Sequence, residues 1–205
     1  MFDITEIKKI FEAPLPGVDA QNIMSPTFRQ GGLKDDSFTE PRASGVLILL
    51  YPLKNEWYIP FIQRPVYEGV HSGQISFPGG KAEDGDKSLL HTALRETHEE
   101  IGISPTEVNI FGQLTPLYIP KSNFNVYPYA GWLESTPNFI PDPLEVAEVI
   151  EVPLKELLKP SCIKNFSYQA GDLIITAPYY DAGGKKIWGA TAMILSEMIE
   201  IIKKL

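Results

Sequence analysis

Residues Gly79–Ile103 read GGKAEDGDKSLLHTALRETHEEIGI, and the fold turns on the spacing in the second half of that stretch. At about 100° of turn per residue, Leu90, Ala93, Leu94, Thr97 and Ile101 share one side of a helix, the expected core face. Glu96, Glu99 and Glu100 then fall within roughly 100° of one another on the opposite side. Carboxylates at i, i+3 and i+4 repel, so the pattern calls for something to neutralise it. Arg95 can pair with one of them. A hard divalent cation such as Mg²⁺ or Mn²⁺ takes oxygen ligands and can serve all three. A solvated acidic face would carry the same letters, and the flanks separate the two readings. A Gly79-Gly80 turn precedes the helix, Asp86 or Ser88 can cap its start near Lys87, and Gly102 stands where a left-handed C-terminal glycine belongs.

Upstream, Ala43–Tyr51 is aliphatic and branched enough for a buried strand. Trp57–Gln63 reads as its hairpin partner across Lys54-Asn55-Glu56, with Pro60 marking an edge or bulge. Arg64, just past that strand, is either a solvated strand-end arginine or a bidentate grip on a phosphate. Gly73–Phe77 reads as a short strand running into Pro78-Gly79-Gly80, where two glycines let the backbone approach phosphates closely, followed by Lys81 as a point charge for an anion. Downstream, Val108–Leu114, Asn125–Leu133 and Glu145–Val152 read as strands, Pro153–Leu158 as a short helix, and Phe166–Tyr179 as one or two strands. Ile187–Leu205 closes the chain as an amphipathic helix. At the other end, Thr5–Ala13 is a short amphipathic helix stopped by Pro14 and Pro16, and residues 15–42 read as an arm with little regular structure. The expected division is therefore 1–42, a helix and extended arm, and 43–205, one α/β domain. Such an arm can pack on its own domain or exchange between the subunits of a homodimer.

A chain of 205 residues, 43% hydrophobic and 21% charged, suits one globular domain with a real core. Its formal net charge of −8 argues against a nucleic-acid surface, which needs a basic field. A small anionic substrate remains compatible, because a bound metal reverses the local sign. Cys162 is the lone cysteine, in keeping with a reducing compartment. The first residues lack a basic stretch followed by an apolar run, and the longest apolar run, 45–51, is far too short to cross a bilayer. The expectation is a cytoplasmic protein that binds no membrane.

Arg95, Glu96, Glu99, Glu100, Gly102 and Ile103 match the half R-E-x-x-E-E-x-G-U of the Nudix box, and on these residues the chain resembles the Nudix hydrolases. Thr97 stands where that pattern has an aliphatic residue. The spacing from Gly80 to Arg95 is one longer than the pattern, with Asp86 near the place of a glutamate. That long spacing, the run GQISFPGG at 73–80, and IWGATA at 187–192 are similar to the coenzyme A diphosphatases within the family. Arg64, Gly73, Phe77, Pro78, Gly79 and Gly80 match the signature of that subfamily, while Pro65 and Gly69 depart from it, Gly69 replacing an arginine.

The resemblance implies an α/β fold, an α/β/α sandwich with a mixed sheet. It implies Glu96, Glu99 and Glu100 as ligands for Mg²⁺ or Mn²⁺, Arg95 as an orienting residue, and Arg64, Gly79, Gly80 and Lys81 on the substrate side. The general base is a box glutamate such as Glu99, or Glu145 at its loop-to-strand junction. The substrate it implies is a small nucleoside diphosphate, coenzyme A or its thioesters, giving 3′,5′-ADP and 4′-phosphopantetheine. ADP-ribose or NADH hydrolysis, and nucleotide sensing without cleavage, stay open beside it.

Overall fold

The computed structural model describes residues 3–27, 40–66, 72–171 and 173–205. Its first helix, α1 (Ile4–Phe11), is capped by the Asp3 carboxylate, which accepts from Thr5 N at 2.9 Å. A second, α2 (Gly17–Asn22), lies inside the stretch expected to lack regular structure. Six residues cannot hold a helix by propensity. Tertiary contacts hold this one: the Gly17 amide and the Gln21 side chain both donate to Glu197, 3.2 and 3.0 Å away.

β1 (Arg42–Leu53) and β2 (Glu56–Gln63) form the expected hairpin. Lys54 and Asn55 in its turn have φ of 49° and 63°, the backbone that a two-residue hairpin loop requires. Pro60 pairs with Glu151, beyond the point where β2 leaves β1, so its missing N–H breaks no ladder between those two strands. Next come β3 (Ile75–Ser76) and β4 (Gly79–Lys81), then α3 (Leu89–Ile101). The Pro-Gly-Gly run was expected as a turn; instead Gly79–Lys81 is a short strand lying antiparallel on β1, Gly45 opposite Gly80. After α3 follow β5 (Asn109–Gln113), β6 (Leu117–Ile119), β7 (Phe124–Trp132), β8 (Glu148–Pro153), α4 (Leu154–Leu157), β9 (Ile163–Ala170), β10 (Leu173–Ala182), β11 (Lys185–Trp188) and α5 (Gly189–Ile202).

The main sheet runs β3-β2-β1-β7-β5, with β4 on β1, β6 on β7 and β8 on β2. β1 and β7 are parallel from Arg42–Phe124 to Leu50–Trp132, and the other pairs are antiparallel, so the sheet is mixed as expected. Alternation along β1 separates two cores. Leu47, Leu49 and Tyr51 pack toward Ala93 and Ile101 of α3. Ile48 and Leu50 belong to the cluster that holds Met193, Leu195 and Met198 of α5, together with Ile7 and Met24. The result is an α/β/α sandwich. α5 was expected to be amphipathic, yet Ala192–Ile199 is buried on every side, Ser196 and Glu197 included. The main sheet covers one side of it, and α1, α2 and the small sheet β11-β10-β9 cover the rest. Among the described residues no helix is long and apolar enough to cross a membrane.

Candidate functional site

α3 starts where Ser88 caps it, the hydroxyl accepting from His91 N at 3.1 Å, and stops at Gly102, whose φ is 78°. Asp86 does not cap it. Its carboxylate accepts from Arg95 Nε and Nη2, both at 3.0 Å, and from Thr92 Oγ1 at 2.8 Å. The Arg95 guanidinium holds that carboxyl well below the usual carboxylate range. The remaining Arg95 nitrogen, Nη1, lies 2.9 Å from Glu96 Oε1 and 2.8 Å from Glu99 Oε2. Arg95 is thus pinned at one end by Asp86 and orients two helix carboxylates with the other.

Glu100 departs from the helical-wheel expectation of a solvent-facing carboxylate: it is 1% exposed. β4 covers it, and the Gly79 amide donates to Glu100 Oε2 at 2.8 Å. The two glycines are needed for that cover. A Cβ on Gly79 would meet Gly45 O at 2.4 Å, and one on Gly80 would meet the Glu96 carboxylate at 2.4 Å. The close approach they permit is to β1 and to the helix carboxylates. Among the described residues Glu100 Oε1 accepts no hydrogen bond, and the Arg64 guanidinium stands 3.8 Å from it. Burial pushes the Glu100 carboxyl up to about 8, with Glu96 and Glu145 adding like charge. Burial also raises Glu96, against the pull of Arg95.

Glu145 reaches this pair from a distant part of the chain. The loop before it is strapped to the end of α3, Ile140 N donating to Ile101 O and Asp142 N to Glu100 O, each at 3.0 Å. Glu145 N and Val146 N then return to Asp142 O, and buried Val146 fixes the turn in the core. One oxygen from each of Glu96, Glu100 and Glu145 lies within 4.8 Å of the others. Hard oxygen donors, crowded like charges, a buried oxygen without a hydrogen bond and raised carboxyl pKa values fit a divalent cation.

Of the residues singled out by sequence, the structure brings together Glu96, Glu100, Glu145, Arg64, Gly79 and Gly80. Glu99 lies outside the three-carboxylate group, half exposed and held by Arg95. Lys81 is exposed, and its carbonyl accepts from Arg95 Nη2 at 3.2 Å. Gly69 lies outside the described residues. Sequence reasoning missed Asp86 as the anchor of Arg95; its position nine residues before Arg95 was the available signal. It also missed the strap at Asp142, made by backbone atoms that no side-chain pattern reports.

A family model described as NUDIX domain matches residues 41–170. The chain is 34% identical over 163 residues to the human mitochondrial coenzyme A diphosphatase NUDT8, covering 77% of this chain and 64% of that protein. It is 37% identical over 132 residues to the uncharacterized Nudix hydrolase NudL of Yersinia enterocolitica, covering 63% of this chain and 66% of that protein. The chain therefore spans slightly under two thirds of the length of each of these relatives. The crystal structure of the MutT protein from Methanosarcina mazei Go1 shares the fold, with a TM-score of 0.53, 19% identity, and coverage of 82% of this chain and 100% of that one.

Proposed function

Because the chain belongs to the Nudix family, we propose that it hydrolyses a nucleoside diphosphate linkage in a metal-dependent reaction, with coenzyme A or its thioesters as substrate and 3′,5′-ADP and 4′-phosphopantetheine as products. The observation that carries this reading is the group of Glu96, Glu100 and Glu145, with a buried oxygen of Glu100 facing Arg64. Those carboxylates would hold Mg²⁺ or Mn²⁺. When bound, the cation supplies positive charge against the diphosphate oxygens and lowers the pKa of a water.

The chain's own residues do the rest. Glu145, the exposed member of the group, takes a proton from the attacking water as the new O–P bond forms and the bridging P–O bond breaks; the leaving phosphate departs with the bridging oxygen. Arg64 offers a guanidinium fork to a diphosphate oxygen, and exposed Lys81 adds a point charge. Arg95 touches no substrate and keeps Glu96 and Glu99 in place. Coenzyme A is favoured over other diphosphates by the runs GQISFPGG and IWGATA and by the identity to a relative named as a coenzyme A diphosphatase.

The test is one panel of coenzyme A, acetyl-coenzyme A, ADP-ribose and NADH with Mg²⁺ or Mn²⁺, products read by mass. Coenzyme A should turn over fastest and all turnover should stop in EDTA. Turnover of ADP-ribose or NADH with coenzyme A inert would replace the substrate; nucleotide binding with no turnover of any of the four would replace catalysis by sensing.

A further inference from the structure

The small sheet has two unlike faces. Tyr179 of β10 stands opposite Lys164 and Trp188, and Phe166 opposite Ala177. Side chains alternate across a strand. Tyr180 and Ile187 therefore point into the core, 1% and 0% exposed, and Phe166, Tyr168, Tyr179 and Trp188 share the face turned away from it. These four rings are half-buried and pack as one aromatic cluster, mostly edge to face. Phe166 stacks on Tyr168 at 5.7 Å and meets Tyr179 and Trp188 edge-on at 5.7 and 5.3 Å. The Lys186 ammonium lies 5.0 Å from the Phe166 ring centroid and 5.5 Å from that of Tyr179. Among the described residues Lys186 makes no ion pair, and Asp181, opposite it in the ladder, pairs with Lys164. A ring face stacks on a nucleobase of any sequence, and an ammonium held over the neighbouring rings complements the phosphate attached to that nucleoside.

Through its edge strand β11 the small sheet adjoins β3 and the end of β2, which leads to Arg64. Lys185 of β11 donates to Gln63 Oε1 at 2.7 Å and pairs with Glu148, and Thr191 Oγ1, just past β11, donates to Ile75 O at 3.1 Å. Gln63 precedes Arg64, whose amide bonds Gln74 O and whose guanidinium faces Glu100. The edge of the small sheet is thus fastened to the strand ends beside Arg64, through Lys185 on the face opposite the rings.

We propose that the aromatic face of β9–β11 binds the adenine and ribose-phosphate end of the substrate, Trp188 stacking on the base and Lys186 meeting the ribose phosphate, while the diphosphate lies at the carboxylates. The proposal rests on the function above in taking a 3′-phosphorylated adenine nucleotide as the ligand.

The probe is adenosine 3′,5′-bisphosphate titrated into the full chain without metal. Tryptophan fluorescence should be quenched in the wild type and unquenched in Trp188→Phe, which keeps a ring for stacking and removes the reporter. By calorimetry, Trp188→Ala should weaken binding about tenfold, the scale of one lost base stack. Lys186→Ala should weaken the bisphosphate while leaving adenosine unchanged; as an exposed substitution it keeps the test open if Trp188→Ala fails to fold. With coenzyme A as substrate, Trp188→Ala should raise KM about tenfold with a smaller change in kcat. Quenching that persists in Trp188→Phe, together with an unchanged KM in Lys186→Ala, overturns the proposal. So does a variant that changes only the sedimentation coefficient, which would make the face a contact between copies. If coenzyme A is not hydrolysed yet the bisphosphate still quenches Trp188, the substrate reading fails and the binding face stands.

Discussion

Glu100 and Glu197 are both carboxylates with almost no exposed surface, 1% and 0%, and the fold provides for them in opposite ways. Glu197 accepts from four donors: Gly17 N, Gln21 Nε2, and both the amide and the hydroxyl of Thr115. Both of its oxygens are served, and the bonds tie α2 and the β5–β6 connection to α5. Glu100 has one good donor, Gly79 N, and an Oε1 that accepts no hydrogen bond among the described residues. A buried polar atom left unsatisfied costs free energy, so the fold retains a defect at Glu100 that it has removed at Glu197. Glu96 and Glu145 surround the defective carboxylate, whereas no carboxylate is among the bonded partners of Glu197. Burial alone therefore does not set the proposed metal ligand apart from a structural carboxylate; an unfilled oxygen among like charges does.

Substituting each glutamate should separate the two roles. The largest effect is expected on catalysis in Glu100→Gln. Losing a charged ligand removes several kcal/mol of transition-state stabilisation, so kcat should fall by about a thousandfold. In EDTA the melting temperature should hold or rise, since the amide cannot ionise and so loses no stability to the release of a proton on unfolding. Full kcat in this variant, measured with Mg²⁺ saturating, would break the comparison.

The reverse is expected of Glu197→Ala. It strands donors from Gly17, Gln21 and Thr115, at about 1–3 kcal/mol for each that water does not reach. A loss of about 3 kcal/mol lowers the melting temperature by roughly 10 °C in a chain of this size, with kcat/KM retained at a temperature where the variant is folded. A variant that melts normally and is inactive would make Glu197 part of the site.

A third effect follows from the raised Glu100 carboxyl. Its folded value, about 8, lies above the ordinary 4.5, so the folded protein keeps a proton that the unfolded chain releases. The metal-free protein is fully stabilised in this respect below about 4.5 and loses that share, on the order of a few kcal/mol, as pH rises through about 8. A divalent cation favours the ionised form and should restore it. Melting curves at pH 6 and pH 8.5, with EDTA and with Mn²⁺, should therefore show a larger metal-induced rise at the higher pH. An equal rise at both would show that the cation does not engage Glu100.

The same contrast explains how far the sequence could be read. α3 was legible because its signals are local: Ser88 and Gly102 at the ends, Ala93 and Ile101 on the core side, Arg95 beside its carboxylates. The β1–β2 hairpin was legible for the same reason, as its turn residues announce themselves. The burial of Glu100 was not, because β4 buries it, and Gly79–Lys81 becomes a strand only by pairing with β1. α2 was not, because its helix depends on Glu197, 180 residues from Gly17. The sequence reads α5 as amphipathic, and only the partners on α2 and at Thr115 make the buried Glu197 acceptable there. Glu145 was a candidate by its position before β8, but the strap at Asp142 that brings it to α3 is made of backbone atoms.

Glu99 supplies the smallest expected effect and the sharpest boundary for the site. It shares a helix face with Glu96, yet its side chain is 53% exposed and it is held by Arg95 across one turn. Exposed i, i+4 pairs contribute about 0.3–0.5 kcal/mol, and Arg95 keeps Asp86 and Glu96 when Glu99 is neutralised. Glu99→Gln should accordingly move the melting temperature by only about 1–2 °C. If the cation is held by Glu96, Glu100 and Glu145 alone, its cost in kcat should be at least about tenfold smaller than that of Glu100→Gln, roughly the 1.4 kcal/mol that separates a ligand from a neighbour. Both variants should be assayed at the same Mg²⁺ and substrate concentrations, after a metal titration of each. An equal loss in kcat, with the metal affinity of Glu99→Gln also lowered, would draw Glu99 into the coordination of the substrate-bound state and enlarge the functional carboxylate group from three to four.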